Sequence, residues 1–147
     1  MNQSSCFQNN LVDLSNAPWT MHEFFAGSGL VAYGLKGMFK PIWANDISEQ
    51  KAAVYKENFG DGYFKLDDIK NINGKNLPFA NLSWASFPCQ DLSLAGSLGG
   101  IHASRSGLVW EWLRVLDEMP NKPKILLLEN VLGLLSTNGG DNYRALH

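Results

Sequence analysis

A glycine-rich turn between an apolar strand and a helix is the feature that most limits how this chain can fold. Met21 to Ala26 is a strand candidate, Gly27-Ser28-Gly29 follows at once, and a helix is predicted through Leu30, Val31, Tyr33, Leu35, Met38 and Phe39. Glycines in such a turn let the backbone approach a ligand that lies on the helix N-terminus. The arrangement is typical of nucleotide-binding α/β folds, although a purely structural turn has the same pattern. Gly27-x-Gly29-x-x-Ala32 also satisfies a loose dinucleotide fingerprint, which does not separate a nicotinamide cofactor from another adenosine-bearing one.

Strands and helices are predicted to alternate along the rest of the chain. Further strands are expected at residues 41–45, 64–66, 82–86 and 124–128, and further helices at 47–59 and 108–119. Chains that alternate strand and helix fold into α/β proteins with a parallel sheet. The sequence therefore predicts an open, mostly parallel, doubly wound α/β sheet. Its last strand is apolar throughout, as buried parallel strands are.

The length and composition of the chain are those of one globular domain. Its 147 residues allow one substantial core, with residues 1–20 as a polar N-terminal arm and 21–147 as the folded domain. The formal net charge is −2, so the chain lacks the basic excess of a self-sufficient nucleic-acid-binding protein. Cys6 and Cys89 have no spacing for zinc, and no segment resembles a signal peptide or a membrane span. We therefore expect a cytoplasmic protein with reduced thiols and with neither a metal nor a membrane as partner.

Carboxylates follow the second and third predicted strands, at the edge where an open α/β sheet binds its ligands. Asp46 lies 19 residues beyond Gly27 (46 − 27), where an acidic residue accepts hydrogen bonds from ribose hydroxyls. Asp46 could also cap the helix predicted from Ile47, and the two roles are compatible. Asp67 or Asp68 could reach an adenine amino group; otherwise both belong to a solvated loop.

Two other strand ends carry a thiol and a carboxylate. Cys89 lies in Phe87-Pro88-Cys89-Gln90, just past the strand at 82–86, and the proline restricts the backbone that leads to the thiol. A lone cysteine is more often a small buried hydrophobe, but this position is also where an open sheet places its chemistry. Glu129-Asn130-Val131 follows the last strand, and a carboxylate beside an amide at a buried strand end is costly unless it is paired or used.

These segments together resemble the cytosine-5 DNA methyltransferases. The resemblance rests on Phe25-Ala26-Gly27-Ser28-Gly29, Pro88-Cys89-Gln90 and Glu129-Asn130-Val131 in this order, with Glu129 40 residues beyond Cys89 (129 − 89). The segments Asn45-Asp46, Asp68-Ile69 and Arg105-Ser106-Gly107-Leu108 fit the same family, so the resemblance covers residues 21 to 145. It implies the Rossmann-like fold of the S-adenosylmethionine-dependent methyltransferases, incomplete at its C-terminal side.

The resemblance also implies a role for each residue in these segments. Cys89 would be the covalent nucleophile at C6 of a cytosine flipped out of DNA, Glu129 would hydrogen-bond or protonate N3, and Asn130 would hold the Glu129 loop in place. The cofactor would be S-adenosylmethionine. The residues implied to bind it are Phe25, Ala26, Gly27, Ser28, Gly29, Leu30, Asp46, Ile47, Asp68, Ile69 and Leu108. The partner would be DNA that contains the target cytosine.

The 147 residues lack other features of this family. They contain no arginine-bearing Gln-x-Arg-x-Arg motif, no target-recognition region and no final strands. The expectation is therefore the N-terminal part of a restriction-modification enzyme of prokaryotic or phage type: a split subunit, a truncated product or an excised fragment. Such a part would need a complementary C-terminal subunit or segment for activity. Three alternatives stay open: a degenerate cofactor- or partner-binding module, a tRNA cytosine-5 methyltransferase relative, and a nicotinamide-dependent oxidoreductase.

Overall fold

The structure is a computed structural model that describes residues 11–88, 107–136 and 140–146. The strands are β1 (Trp19–Phe24), β2 (Phe39–Asp46), β3 (Phe64–Leu66), β4 (Leu82–Ala85) and β5 (Ile125–Leu128). The helices are α1 (Leu30–Gly34), α2 (Glu49–Phe59), α3 (Leu108–Glu118), α4 (Gly133–Ser136) and α5 (Asp141–Arg144), with two 3-10 turns at Ile69–Asn71 and Gly74–Asn76. The strands form one sheet in the order β3-β2-β1-β4-β5, and each neighbouring pair is parallel. The predicted open parallel sheet is confirmed.

Helices cover both faces of this sheet. Successive residues of a strand point to opposite sides, so different strand residues contact the helices on each face. On one face, Glu23 of β1 accepts hydrogen bonds from α1 and α2. On the other face, Ser83 of β4 accepts a hydrogen bond from Trp112 of α3. The core of the first face comprises Ala26, Ala32, Ala44, Ala52, Tyr55, Phe59 and Phe64. The core of the second comprises Phe24, Ile69, Ile72, Ala85, Phe87, Val109, Trp112, Val115, Leu116, Met119 and Leu134. The sheet is therefore doubly wound, as predicted.

The first helix is much shorter than its apolar pattern predicts. The pattern predicts a helix that extends to Phe39, whereas α1 ends at Gly34. Gly37 has φ +84°, a left-handed conformation that a right-handed helix does not contain. Phe39 already pairs with Trp19 as the first residue of β2. The apolar residues beyond Gly34 therefore belong to a turn and a strand.

The first strand begins and ends two residues earlier than predicted. β1 covers Trp19–Phe24 because Phe25 has φ +56°, which lies outside the range of a strand. Residues 11–18 form neither helix nor strand. This segment is nevertheless attached to the domain. Val12 donates its N–H to a carbonyl oxygen of α2 at 2.7 Å, and Val12 and Leu14 pack against the core beneath that helix.

The last strand is exposed, although its sequence predicts a buried one. Ile125, Leu126 and Leu127 are 46%, 51% and 44% exposed. β5 pairs with β4 on one side, and no strand within the described ranges pairs with its other edge. Glu129, predicted at a buried strand end, is also exposed.

Candidate active site

The candidate site is a crevice at the carboxyl ends of β1 and β4. The strand order reverses there, since the chain runs from β1 outward to β3 and then returns to place β4 on the other side of β1. Open α/β sheets bind their ligands at such a switch point. Two cavities of about 630 Å³ and 390 Å³, here called the large and the small cavity, open at this point and share Phe25, Lys51 and Ser86.

The two cavities bring together most of the side chains that the sequence singles out. Besides Phe25, the large cavity is lined by Asp46, Ile47, Asp68, Ile69 and Leu108. The small cavity is lined by Ala26, Gly27, Ser28, Leu30 and Glu129. Gly29 and Asn130 line neither cavity. Cys89 lies outside the described residues, and Pro88, which precedes it, lines the large cavity.

The glycine turn packs against α2. Gly27 and Gly29 have φ +57° and +86°, conformations that glycine adopts without the cost of a Cβ. A Cβ on Gly29 would lie 2.4 Å from Cε2 of Phe59 and 3.0 Å from Cδ2 of Tyr55. At Gly29 the absent side chain therefore makes room for α2, whereas Gly27 lies at the wall of the small cavity.

Asp46 connects the end of β2 to the glycine turn. Its carboxylate accepts hydrogen bonds from the backbone N–H of Gly27 at 2.8 Å and of Ser48 at 2.9 Å. The N-cap of α2 is Ser48 and the helix begins at Glu49, so the alternative prediction, that Asp46 caps a helix from Ile47, is wrong. Each carboxylate oxygen has two lone pairs, so Asp46 can also accept hydrogen bonds from a ligand hydroxyl.

Arg114 fixes the turn that contains Asp68 and Ile69. Its guanidinium donates to the carbonyl oxygen of Ile69 at 3.2 Å and to that of Ile72 at 3.1 Å. Asp68 caps the turn with its side chain, and Ile69 is buried. Because Arg114 and Leu108 belong to the same helix, α3 positions two parts of the wall of the large cavity at once.

Asp67, the other carboxylate considered for an adenine amino group, also lines the large cavity. It accepts a hydrogen bond from Nδ2 of Asn71 at 2.9 Å and one from the backbone N–H of Asp68 at 2.9 Å. The hydrogen bond from Asn71 is the main cause that lowers the pKa of Asp67. Asp67 therefore carries its charge at the rim of the large cavity and is held by its own turn.

Glu129 and Asn130 lie beyond the end of β5. The backbone N–H of Glu129 donates to the carbonyl oxygen of Ala85 at 2.9 Å, which continues the pairing of β4 with β5, and its side chain lines the small cavity. Nδ2 of Asn130 donates to the carbonyl oxygen of Phe87 at 2.9 Å. Asn130 thus joins the loop after β5 to the segment that leads to Cys89.

Glu23 and Lys51 are two of the polar residues at the crevice that were not singled out from the sequence. Glu23 lines the small cavity and is 1% exposed; it accepts hydrogen bonds from the hydroxyl of Tyr55 at 3.0 Å and the N–H of Ala32 at 3.3 Å. Burial raises the pKa of Glu23 to about 7, against these hydrogen bonds, which lower it. A carboxylate inside a predicted buried strand was the available signal. The second residue is Lys51, which lines both cavities. A lysine on a predicted helix is typical of a solvent-exposed side chain, so the sequence did not indicate this position.

Neither a metal site nor a membrane span is found in the part of the chain that the structure describes. No three His, Cys, Asp or Glu side chains are grouped there so that they could hold a metal ion. No helix in the same ranges is long and apolar enough to cross a membrane.

The fold and the crevice define a Rossmann-like S-adenosylmethionine-dependent methyltransferase fold, incomplete in these residues. The S. pombe Dnmt2 methyltransferase has a similar fold, with a TM-score of 0.66 and 25% identity over 87% of this chain and 38% of that chain. A prophage-encoded E. coli protein described as a DNA modification methyltransferase matches with a TM-score of 0.68 over 86% of this chain and 36% of that chain. At 20% identity, the second likeness is one of fold alone.

Residues 19–146 match the family model of the C-5 cytosine-specific DNA methylases, and the chain belongs to this family. A curated relative, the type II methyltransferase M.Bsp6I of Bacillus sp. (strain RFL6), is 32% identical over 126 residues. That alignment covers 84% of this chain but only 39% of the relative, so the chain spans well under half of the relative's length. The family membership confirms the resemblance and removes the nicotinamide-dependent oxidoreductase from the alternatives.

Proposed function

We propose that this chain forms the N-terminal catalytic part of a DNA cytosine-5 methyltransferase, which transfers a methyl group from S-adenosylmethionine to C5 of a cytosine. The observation that carries the proposal is the crevice between β1 and β4. The glycine turn, Asp46 and Glu129 meet there, beside the segment that leads to Cys89. Family membership supports the class of reaction.

The two joined cavities suit a nucleoside with an amino-acid tail. The adenine would lie in the large cavity beside Ile47, Asp68 and Ile69, and the ribose hydroxyls would donate to Asp46. Leu108 would supply apolar contact in the same cavity, together with Phe25 where the two cavities join.

The amino-acid tail would extend across the glycine turn into the small cavity. Ala26, Gly27, Ser28 and Leu30 form its wall there. Gly29 would act through the shape of the turn, since its own surroundings are filled by α2. The cofactor supplies an electrophilic methyl group on a sulfonium.

Cys89 would make C5 of the cytosine reactive. C5 alone is a poor nucleophile, but addition of the Cys89 thiolate to C6 forms an S–C6 bond and leaves an enamine whose C5 can attack a methyl donor. Glu129 would hydrogen-bond or protonate N3 and so offset the charge that develops on the ring. C5 then forms the new C–CH₃ bond as the S–CH₃ bond breaks. Loss of the C5 proton to a base and expulsion of the thiolate restore the aromatic ring.

The target base must leave the duplex, because C6 is not accessible inside the base stack. Asn130 would keep the Glu129 loop in register with the Cys89 loop through its hydrogen bond to Phe87. Both reacting groups would then face the same extruded base.

A complementary segment or subunit would supply the rest of the catalytic fold. Three apolar residues of β5 are about half exposed. This exposure is expected if a further segment covers the edge in the complete enzyme. The net charge of −2 offers little attraction to phosphates, so that segment would also carry the basic DNA-binding surface. We therefore expect the 147 residues alone to methylate DNA at no appreciable rate.

The test is covalent trapping on duplex DNA that carries 5-fluorocytosine at the target, with S-adenosylmethionine and a candidate C-terminal polypeptide. Fluorine at C5 cannot leave as a proton, so the adduct with the thiol persists. Wild type and Cys6→Ser, which removes the other cysteine, should both trap the DNA, and Cys89→Ser should not. Undiminished trapping by Cys89→Ser would refute the nucleophile, and rapid turnover by the 147 residues alone would refute the two-part enzyme.

A further inference from the structure

Lys51 occupies the junction of the two cavities. It lies on the first turn of α2, and its side chain lines both cavities. The stem passes close to the glycine turn, since a Cβ added to Gly27 would lie 4.0 Å from Cδ of Lys51. An alkyl stem along the turn carries the ammonium toward the cavities and away from the helix backbone.

Among the residues that the structure describes, the ammonium of Lys51 has no counter-charge of its own. Within residues 11–88, 107–136 and 140–146, Lys51 makes no ion pair and its Nζ makes no hydrogen bond. The neighbouring carboxylate of Asp46 is turned to the backbone N–H groups of Gly27 and Ser48. An unpaired cation at the mouth of a ligand cavity is suited to an anionic group of the ligand.

The small cavity has Lys51 as its one cationic lining residue among those described. Its other charged lining residues among those described are Glu23 and Glu129, both carboxylates. A ligand carboxylate that enters this cavity therefore meets one cation, Lys51, and two carboxyl groups, of which Glu23 is partly neutral near pH 7 because burial raises its pKa to about 7. Long-range attraction and the choice of orientation both depend on that cation.

We infer that Lys51 binds the carboxylate at the amino-acid end of the cofactor; this inference rests on the proposed function. With adenine and ribose in the large cavity, the amino-acid end reaches the small cavity past Lys51. The carboxylate is the only anionic group of S-adenosylmethionine and of its demethylated product. Lys51 is thus a specificity-determining residue, which separates a complete cofactor from a nucleoside without the amino-acid end.

The test compares two ligands on the full 147-residue chain by calorimetry at low ionic strength. S-adenosylhomocysteine has the amino-acid end, whereas 5′-methylthioadenosine has the same nucleoside and thioether without it. Lys51→Met keeps much of the stem and removes the charge. It should weaken the binding of S-adenosylhomocysteine about fivefold, the upper range for an exposed ion pair, and leave the binding of 5′-methylthioadenosine unchanged. Lys51→Arg should retain most of the affinity.

Lys56→Met is the matched control, because it removes the same charge from the same helix at a residue that lines neither cavity. It should leave both affinities unchanged. Equal weakening of both ligands by Lys51→Met, or no weakening of either, would overturn the assignment of Lys51. A wild-type chain that binds neither ligand would refute the proposed cofactor site itself and the inference with it, so the two failures are distinguishable.

Discussion

Replacement of Gly29 by alanine tests whether the glycine turn is shaped by packing against α2. Gly29 has φ +86°, and a Cβ there would lie 2.4 Å and 2.9 Å from two ring carbons of Phe59. The Phe59 ring is 6% exposed and packs on Tyr55 with the ring centroids 4.9 Å apart, so it has little room to move away. Gly29→Ala must therefore shift the turn or the helix.

Two costs add up in this variant. A left-handed conformation costs an alanine roughly 1–2 kcal/mol. An added methyl group in a packed interior costs about 1–3 kcal/mol. The expected loss of unfolding free energy is therefore about 2–5 kcal/mol, a large part of the 5–15 kcal/mol that roughly spans the stability of native proteins. At about 2–4 °C per kcal/mol, the unfolding midpoint should fall by roughly 4–20 °C.

Urea denaturation of four variants, Gly29→Ala, Gly37→Ala, Phe59→Leu and the Gly29→Ala/Phe59→Leu double variant, separates the two costs. Gly37→Ala has the matched backbone term, since Gly37 has φ +84° and nothing lies within 4 Å of its added Cβ. Gly37→Ala should lose only about 1–2 kcal/mol of unfolding free energy, which is the cost of placing an alanine in a left-handed conformation. Phe59→Leu in the Gly29→Ala background should relieve part of the clash and so regain part of the lost unfolding free energy. A double-mutant cycle would show this as coupling between the two positions. Equal losses for Gly29→Ala and Gly37→Ala, with no coupling to Phe59, would refute the packing argument.

Other contacts give three further predictions. Arg114→Ala should cost about 1 kcal/mol of unfolding free energy in urea, since the guanidinium is partly exposed, whereas the more exposed Arg144→Ala should cost under about 0.5 kcal/mol. Burial raises the pKa of Glu23 to about 7, so the folded state retains a proton that the unfolded state loses near pH 4.5. The protonated Glu23 therefore contributes up to about 3 kcal/mol to the free energy of unfolding below pH 4.5, and this contribution is lost as the pH rises to 7. The difference in urea stability between wild type and Glu23→Gln should fall over that pH range, and a constant difference would contradict it. Asp46→Ala should weaken S-adenosylhomocysteine binding by roughly 1.5–3 kcal/mol in calorimetry, because it removes the charged acceptor and frees Gly27; unchanged affinity would argue against ribose binding.

The sheet and the position of the site were predictable because they depend on local patterns. Short apolar runs place β3, β4 and β5 within one residue of their observed bounds. A parallel sheet collects the carboxyl ends of its strands at one edge, so Asp46 and Glu129 lie at the same edge although 83 residues separate them in the chain (129 − 46). Both line the joined cavities.

Features that depend on distant contacts were not predictable in the same way. The buried carboxylate of Glu23 accepts a hydrogen bond from Tyr55, which is 32 residues away in the chain. Arg114 donates to the carbonyl oxygen of Ile69, which is 45 residues away. The length of α1 depends on the turn at Gly37, because the residues after it are taken into the sheet. The apolar sequence of β5 predicts burial but does not say which segment provides it.

The edge of β5 that no described strand pairs with makes the stability of this chain subject to mass action. A polypeptide that pairs with β5 would bind the native state and not the unfolded one, because the edge exists only after the sheet has formed. At a free concentration 100 times its dissociation constant, such a partner adds about 2.7 kcal/mol to the free energy of unfolding. The unfolding midpoint would then rise with partner concentration, and the two polypeptides would unfold as one cooperative unit.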